Sequence, residues 1–303
     1  MTVAGIASVA ALGAFGAYGR SGGARTHARA SSADAPTAPT FGYEIVRSYP
    51  HDPGAATQGL IYRDGFLYES TGAQTSPSLR KVQLETGAVV HQRPVAEPHV
   101  GEGLTEWSGA LVHLTPVRSQ ARGSAALKKM SHLDYLMASI GRRLRMNFGT
   151  TCDPESLTVR STFTYTGEGW GLTHDDRRLI LSDGTSELRF LDPQTFAARG
   201  SVRVTDGGRP IALLNELEFV NGQVYANVWF EDRIAMIAAD SGRVAGWIDL
   251  AGLVSSLEPR PDRDAGDVLN GIAFDRAHGR LFVTGKRWPR VFEIRVRPIV
   301  PAS

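Results

Sequence analysis

The sequence predicts an all-β fold, a five-bladed β-propeller whose ring is closed by an amino-terminal strand. Three observations predict it. Five segments repeat one pattern, a polar residue beside glycine, leucine or glutamate, then two short apolar runs around a tight turn. Three of these are followed by a further pair of alternating runs, so the repeating unit is four strands. The 33 glycines among 303 residues exceed the roughly 7% of average usage and suit a chain with many turns.

The repeats begin at Thr57, Gly101, Gly167, Leu214 and Leu269. Their turns are Arg63-Asp64-Gly65, Trp107-Ser108-Gly109, Asp175-Asp176-Arg177, Asn221-Gly222 and Ala277-His278-Gly279. Asn-Gly and short glycine-containing connections between apolar runs are hairpin signals. The further strand pairs are read at residues 78–95, 187–204 and 233–250. The last unit ends in a single run, RVFEIRV, one strand short. Tyr43 to Pro50 (YEIVRSYP) supplies the missing outer strand and removes an exposed edge. Residues 43–298 are therefore the propeller domain, and 299–303 a tail.

Ahead of the repeats, Val3 to Tyr18 carry no charge and are short for a spanning helix. Residues 1–33 read as a targeting segment. A secretory signal is the first reading and a retained anchor the third. Between them stands an organellar transit peptide, because Arg20, Arg25 and Arg29 precede the first acid at Asp34. Residues 34–42, with Pro36 and Pro39, read as a linker.

The anchors Gln58, Glu102, Glu168, Asn215 and Asn270 are spaced by 44, 66, 47 and 55 residues. The long second interval contains residues 117–151, read as an atypical insertion. There Leu127, Met130, Leu133, Met137, Ile140 and Leu144 fall at helical spacing among Lys and Arg residues. An extruded insertion, or residues foreign to the natural protein, is the favoured reading; a membrane or partner contact is the other. The net charge of +2 conceals this basic stretch, and the main body is mildly acidic, which argues against a nucleic-acid partner. One cysteine, Cys152, excludes an internal disulfide and any multi-cysteine metal site. The eight histidines include no pair at metal-ligand spacing.

The innermost strands of a propeller line its channel, so the five anchors should converge on one axis. For any one anchor the plain reading is a polar residue facing channel water. The motifs YPHDPGAATQGL, LYESTG, GEGL, GEGWGL, LNELE, YANVW, DVLNGIAFD and LFVTGKRWP, in this order, resemble the glutaminyl-peptide cyclotransferases of the plant and bacterial type. The likeness runs from about Tyr43 to Val296 apart from residues 117–151.

The resemblance implies a five-bladed propeller unrelated to the zinc-dependent animal enzymes, which converts an amino-terminal glutamine to pyroglutamate and releases ammonia. It maps the catalytic acid/base onto Glu102 and the groups beside the amide oxygen onto Asn215 and Lys286. Trp170 and Trp229 map onto an aromatic cage for the glutamine chain. Gln58 becomes a substrate contact, and Glu168 either a wall of the site or a strut between blades. Trp107, Trp247 and Trp288 keep a packing role, and His51 reads as a closure residue.

No cofactor is required, and a structural calcium on channel oxygens stays an open alternative. The partners are peptides or proteins beginning with glutamine, the protein acts as a monomer, and membrane contact is confined to residues 1–19 or the basic insertion. Three positions depart from the family pattern: Pro116 where a tryptophan is usual, and Ala56 and Val100 where aromatics are. They keep open a catalytically impaired propeller that binds peptides or proteins. A metal-dependent propeller hydrolase is a third reading.

Overall fold

The computed structural model describes residues 37–72, 76–117, 145–255 and 266–299. The targeting segment at 1–33, residues 118–144 of the basic stretch and the end of the tail lie outside the described residues.

Each of the five repeats forms an antiparallel hairpin: β2 (Thr57–Arg63) with β3 (Phe66–Thr71), β6 (Leu104–Trp107) with β7 (Ala110–Leu114), β10 (Leu172–His174) with β11 (Leu179–Ser182), β16 (Leu214–Val220) with β17 (Gln223–Val228), and β20 (Leu269–Asp275) with β21 (Arg280–Gly285). The turns take the left-handed backbone that the sequence signals. Asp64 and Gly65 have φ of 50° and 85°, and Asn221 and Gly222 have 48° and 87°. Paired positive φ angles match the twist of the flanking strands.

The outer strands follow as read: β4 (Ser78–Gln83) with β5 (Val89–Pro94), β12 (Glu187–Leu191) with β13 (Ala198–Arg203), and β18 (Arg233–Ala238) with β19 (Val244–Asp249). The second group gains its outer pair from β8 (Met146–Cys152) and β9 (Val159–Thr166). Residues 146–151 are thus sheet strand, and the insertion boundary moves inward. A small ribbon, β14 (Thr205–Asp206) with β15 (Arg209–Pro210), and a five-residue helix α1 (Ala251–Ser255) complete the chain up to β22 (Arg290–Pro298).

The amino-terminal strand β1 (Thr40–Pro50) pairs antiparallel with β22 along nearly its whole length, with Tyr43 opposite Val296. It begins at Thr40, inside the segment read as a linker. Thr40 and Phe41 also pair in parallel with Trp247 and Ile248 of β19, which joins two strand groups into one eight-stranded sheet. The other three groups are separate four-stranded sheets, and the whole is all-β and propeller-like.

Apolar packing lies between neighbouring groups rather than within one. Leu60 and Val82 pack with Phe282 and Val291; Leu79 with Leu104 and Leu111; Leu114 with Leu172 and Leu181; Leu188 with Leu217 and Val224; Ile234 and Ile248 with Ile272 and Val283. The last group packs on the first, and this burial between successive groups holds them in sequence.

Candidate active site

The starts of the inner strands meet because glycines let their backbones touch. A methyl group on Gly103 would stand 2.6 Å from Gly171 C and Leu172 N, and one on Gly59 2.6 Å from Leu104 N. Gly171 in turn abuts the Asn215 carbonyl. Only a residue without Cβ fits such an approach. The glycines flanking Glu102 are therefore packing requirements of its strand, and they bring its side chain to the level of its neighbours.

At that level Gln58 Nε2 lies 3.5 Å from Glu102 Oε1. Glu102 is half-buried, and burial pushes its carboxyl pKa well up; Lys286 opposes the rise and Glu168 adds to it. Lys286 is 4% exposed, and burial pushes its ammonium pKa down while Glu102 pulls it back. Burial thus drives both groups toward their neutral forms, and the charge of each opposes that drift in the other.

Lys286 Nζ stands 5.8 Å from the centroid of the Trp229 ring, and Trp229 meets Trp170 edge to face at 5.2 Å. Lys286 is thus a buried lysine facing the Trp229 ring. Asn215 is 3% exposed, and its carbonyl accepts the Ser182 hydroxyl at 2.6 Å. The same hydroxyl accepts Gly171 N–H at 2.8 Å, which fixes the GEGWG turn to β16. Arg189 donates to the Glu168 carbonyl at 3.2 Å and anchors the other side of that turn.

Among the buried polar atoms without a hydrogen-bond partner are Gln58 Oε1 and Trp229 Nε1. Buried polar atoms without partners are rare, so an acceptor stands ready on Gln58, beside Glu102, and a donor on Trp229, beside Lys286. Asn270 behaves differently from the other anchors. It is fully buried, and its Nδ2 donates to Thr57 O at 2.9 Å, a strut between β20 and β2. Below, Glu216 accepts Ile272 N–H at 2.8 Å and Leu60 N–H at 3.4 Å and links strands across the axis.

Sequence reasoning missed three contributors. Tyr165 is 2% exposed with a partnerless hydroxyl; burial raises its pKa far up, and the charges of Glu102 and Glu168 add to that. Phe230 stacks on Trp229 at 4.4 Å. Ser182 ties the GEGWG turn to β16 through its hydroxyl. Tyr165 stands three residues before Glu168 in a run that alternates as a strand, and that alternation was the one available signal. At the opposite ends of the inner strands a cavity of about 650 Å³ opens, lined by Arg63, Glu106, Trp107, His174, Glu218 and Arg276 among others. None of the seven candidate residues lines it. Among the described residues no three His, Cys, Asp or Glu side chains are grouped to hold a metal ion.

The three departures lie in described segments near Gln58, Glu102 and β7 in the chain. Ala56 is fully buried, Val100 is 5% exposed, and the Pro116 carbonyl accepts Val100 N–H at 3.0 Å.

A family model described as glutamine cyclotransferase matches residues 21–137 and 143–296. A glutaminyl-peptide cyclotransferase of Arabidopsis thaliana is 38% identical over 256 residues, which cover 84% of this chain and 71% of that one. The crystal structure of Myxococcus xanthus glutaminyl cyclase superposes with a TM-score of 0.71 at 33% identity, over 88% of this chain and 100% of that one. With a family match spanning most of its length and this degree of identity, the chain belongs to the glutamine cyclotransferase family.

Proposed function

We propose that the chain converts the amino-terminal glutamine of peptides and proteins to pyroglutamate and releases ammonia. The observation that carries the reading is the meeting of Glu102 and Lys286, each shifted toward neutrality, beside the paired Trp170 and Trp229 rings. The relatives named glutaminyl-peptide cyclotransferase and glutaminyl cyclase support the reaction class, and they favour it over a module that only binds peptides.

The substrate's own α-amine attacks the side-chain amide carbon, so the ring closes within one molecule and proximity is already supplied. In our reading Glu102 accepts the amine proton as the new C–N bond forms. Asn215 and Lys286 face the amide oxygen and stabilise the negative charge that develops there. Glu102 then returns the proton to the departing nitrogen, and the carbonyl re-forms as ammonia leaves. A carboxylate with a raised pKa serves both steps near neutral pH.

Gln58 Oε1 and Trp229 Nε1 suit the substrate's donor and acceptor groups, and the two indoles suit its methylenes. Base, acid and positive charge all come from side chains, so the reaction needs no cofactor. We also read the strand groups as five blades. The eight-stranded sheet divides at its short parallel contact into β16–β19 and β20–β22 with β1. Shared apolar clusters between successive groups support that count.

The test is ammonia release from a glutamine-initiated peptide, with loss of its free amine, by the intact chain and by Glu102→Gln. Equal rates in the two would sink the assignment of Glu102.

A further inference from the structure

His51 is buried where the first and last strand groups meet, and both nitrogens of its ring face acceptors. Nδ1 lies 2.7 Å from the Trp288 carbonyl oxygen and Nε2 3.0 Å from Glu69 Oε1. A neutral imidazole carries one N–H and one lone pair, so it satisfies one of these contacts and opposes the other; an imidazolium satisfies both.

The surroundings favour charge on both partners. Thr57 Oγ1 donates to Glu69 Oε1 at 2.6 Å. Arg80 on β4 stands 3.6 Å from Glu69 Oε2 and also donates to Asp52 at 2.7 Å. Glu69 on β3, Arg80 on β4 and Asp52 in its own segment are the charged groups facing His51. Burial pushes the His51 pKa down, but Glu69, the Trp288 carbonyl and Asp52 outweigh it and the net direction is up. Burial pushes Glu69 up, and His51, Thr57 and Arg80 turn the net direction down.

This pair joins two segments that each deliver a candidate site residue. Residues 51–58 end in Gln58, and residues 285–290 contain Lys286. His51 N–H donates to Pro289 O at 3.0 Å, and Arg287 N–H donates to Ala55 O at 2.7 Å. Trp288, whose carbonyl takes the His51 ring proton, has its indole pressed on Gly285 and donates Nε1–H to Asp267 O at 3.2 Å.

We propose that His51, held as an imidazolium between Glu69 and the Trp288 carbonyl, is a positioning residue that locks the Lys286 segment against the Gln58 segment. Its catalytic consequence rests on the cyclotransferase reading; its protonation state does not. A neutral His51 leaves one of the two contacts without a proton and frees the loop two residues from Lys286.

The experiment is ¹⁵N-resolved NMR of the histidine side chains in the intact chain, paired with kinetics on a glutamine-initiated peptide. At pH 7.5 both His51 nitrogens appear at imidazolium positions, and they titrate at higher pH than the exposed histidines. A neutral tautomer at that pH overturns the proposal. His51→Gln keeps amide donors but no charge, and it lowers kcat/KM on the order of 10- to 100-fold while displacing the alkaline limb of the pH profile. Adding Glu69→Gln recovers part of the loss, because no single charge is then left buried. A His51→Gln protein that melts earlier yet keeps the parental kcat/KM and pH profile also overturns it. If the intact chain releases no ammonia, the cyclotransferase reading fails, and the NMR result alone decides the clamp.

Discussion

The ammonium of Lys286 that stands 5.8 Å from the Trp229 ring is the same charge that restrains the pKa of Glu102. One cation thus touches the wall of the proposed cage and tunes the proposed base. Changes to the wall, the base or its charged neighbours have separable effects.

Glu102→Gln removes the proton acceptor but keeps shape and burial. The expected result is a fall in kcat of roughly 10²- to 10⁴-fold, the usual contribution of a positioned acid/base. Ammonia release at saturating peptide reads it, with circular dichroism to establish that the sheets persist.

The pH profile follows from the two opposed shifts. Glu102 acts as base only when deprotonated, and burial has raised its pKa, so activity falls with acid at a pH above the ordinary carboxylate range. Lys286 acts only when protonated, and burial has lowered its pKa, so activity falls with alkali below the ordinary lysine range. Glu168 raises the Glu102 pKa, and Glu168→Gln therefore moves the acid limb of kcat/KM to lower pH. An unmoved or upward-moving limb contradicts that coupling.

Trp229 is tested by two replacements. Trp229→Ala removes a large apolar face beside Trp170 and Lys286, worth about 1.5–3 kcal/mol, and raises KM more than tenfold. Trp229→Phe keeps an aromatic face, though a smaller one, and loses the partnerless Nε1–H, so its KM rises at least about fivefold, as one hydrogen bond of about 1 kcal/mol implies. A parental KM for Trp229→Phe would remove the indole N–H from recognition, and equal KM values for the two variants would remove the apolar face.

Gly103→Ala places a methyl 2.6 Å from backbone atoms of Gly171 and Leu172, which no side-chain rotation relieves. Overpacking of this kind destabilises by about 1–3 kcal/mol. Thermal unfolding should show a clear fall in Tm; an unchanged Tm would mean the inner strands separate more easily than their contacts imply.

His113 is fully buried and its Nε2 lies 2.8 Å from the Ser70 hydroxyl. Burial, with Arg93 adding, lowers its pKa from 6.5 to about 3. The folded state therefore refuses a proton that the unfolded chain accepts. Stability is intact above pH 6.5 and declines as pH falls toward 3, by up to roughly 1.4 kcal/mol per pH unit. Urea unfolding at several pH values reads this slope, and His113→Gln should flatten it between those limits.

Local rules made much of the fold legible. Asn221-Gly222 and Asp64-Gly65 announced turns because positive φ at both positions suits few residues. The pairing of Tyr43–Pro50 with the last run followed from an unfilled edge. The strands β8 and β9 went unnamed because the basic stretch breaks the alternation just before Met146. The linker reading failed at Thr40 for a different reason: backbone pairing to Trp247 orders residues whose composition alone suggests a loop. Of the five anchors, Asn270 turned from channel residue to strut once its bond to Thr57 was visible.

What the sequence alone determined is the order of strands and turns and, through ordered motifs, the family, since both depend on neighbours along the chain. What only the tertiary structure decided is which side chains share a poorly solvated space. Glu102 precedes β6 and Lys286 follows β21, far apart in the chain, and their opposed pKa shifts exist because burial removes water from both at once. Desolvation and Coulomb interaction act through space, so no stretch of sequence carries them.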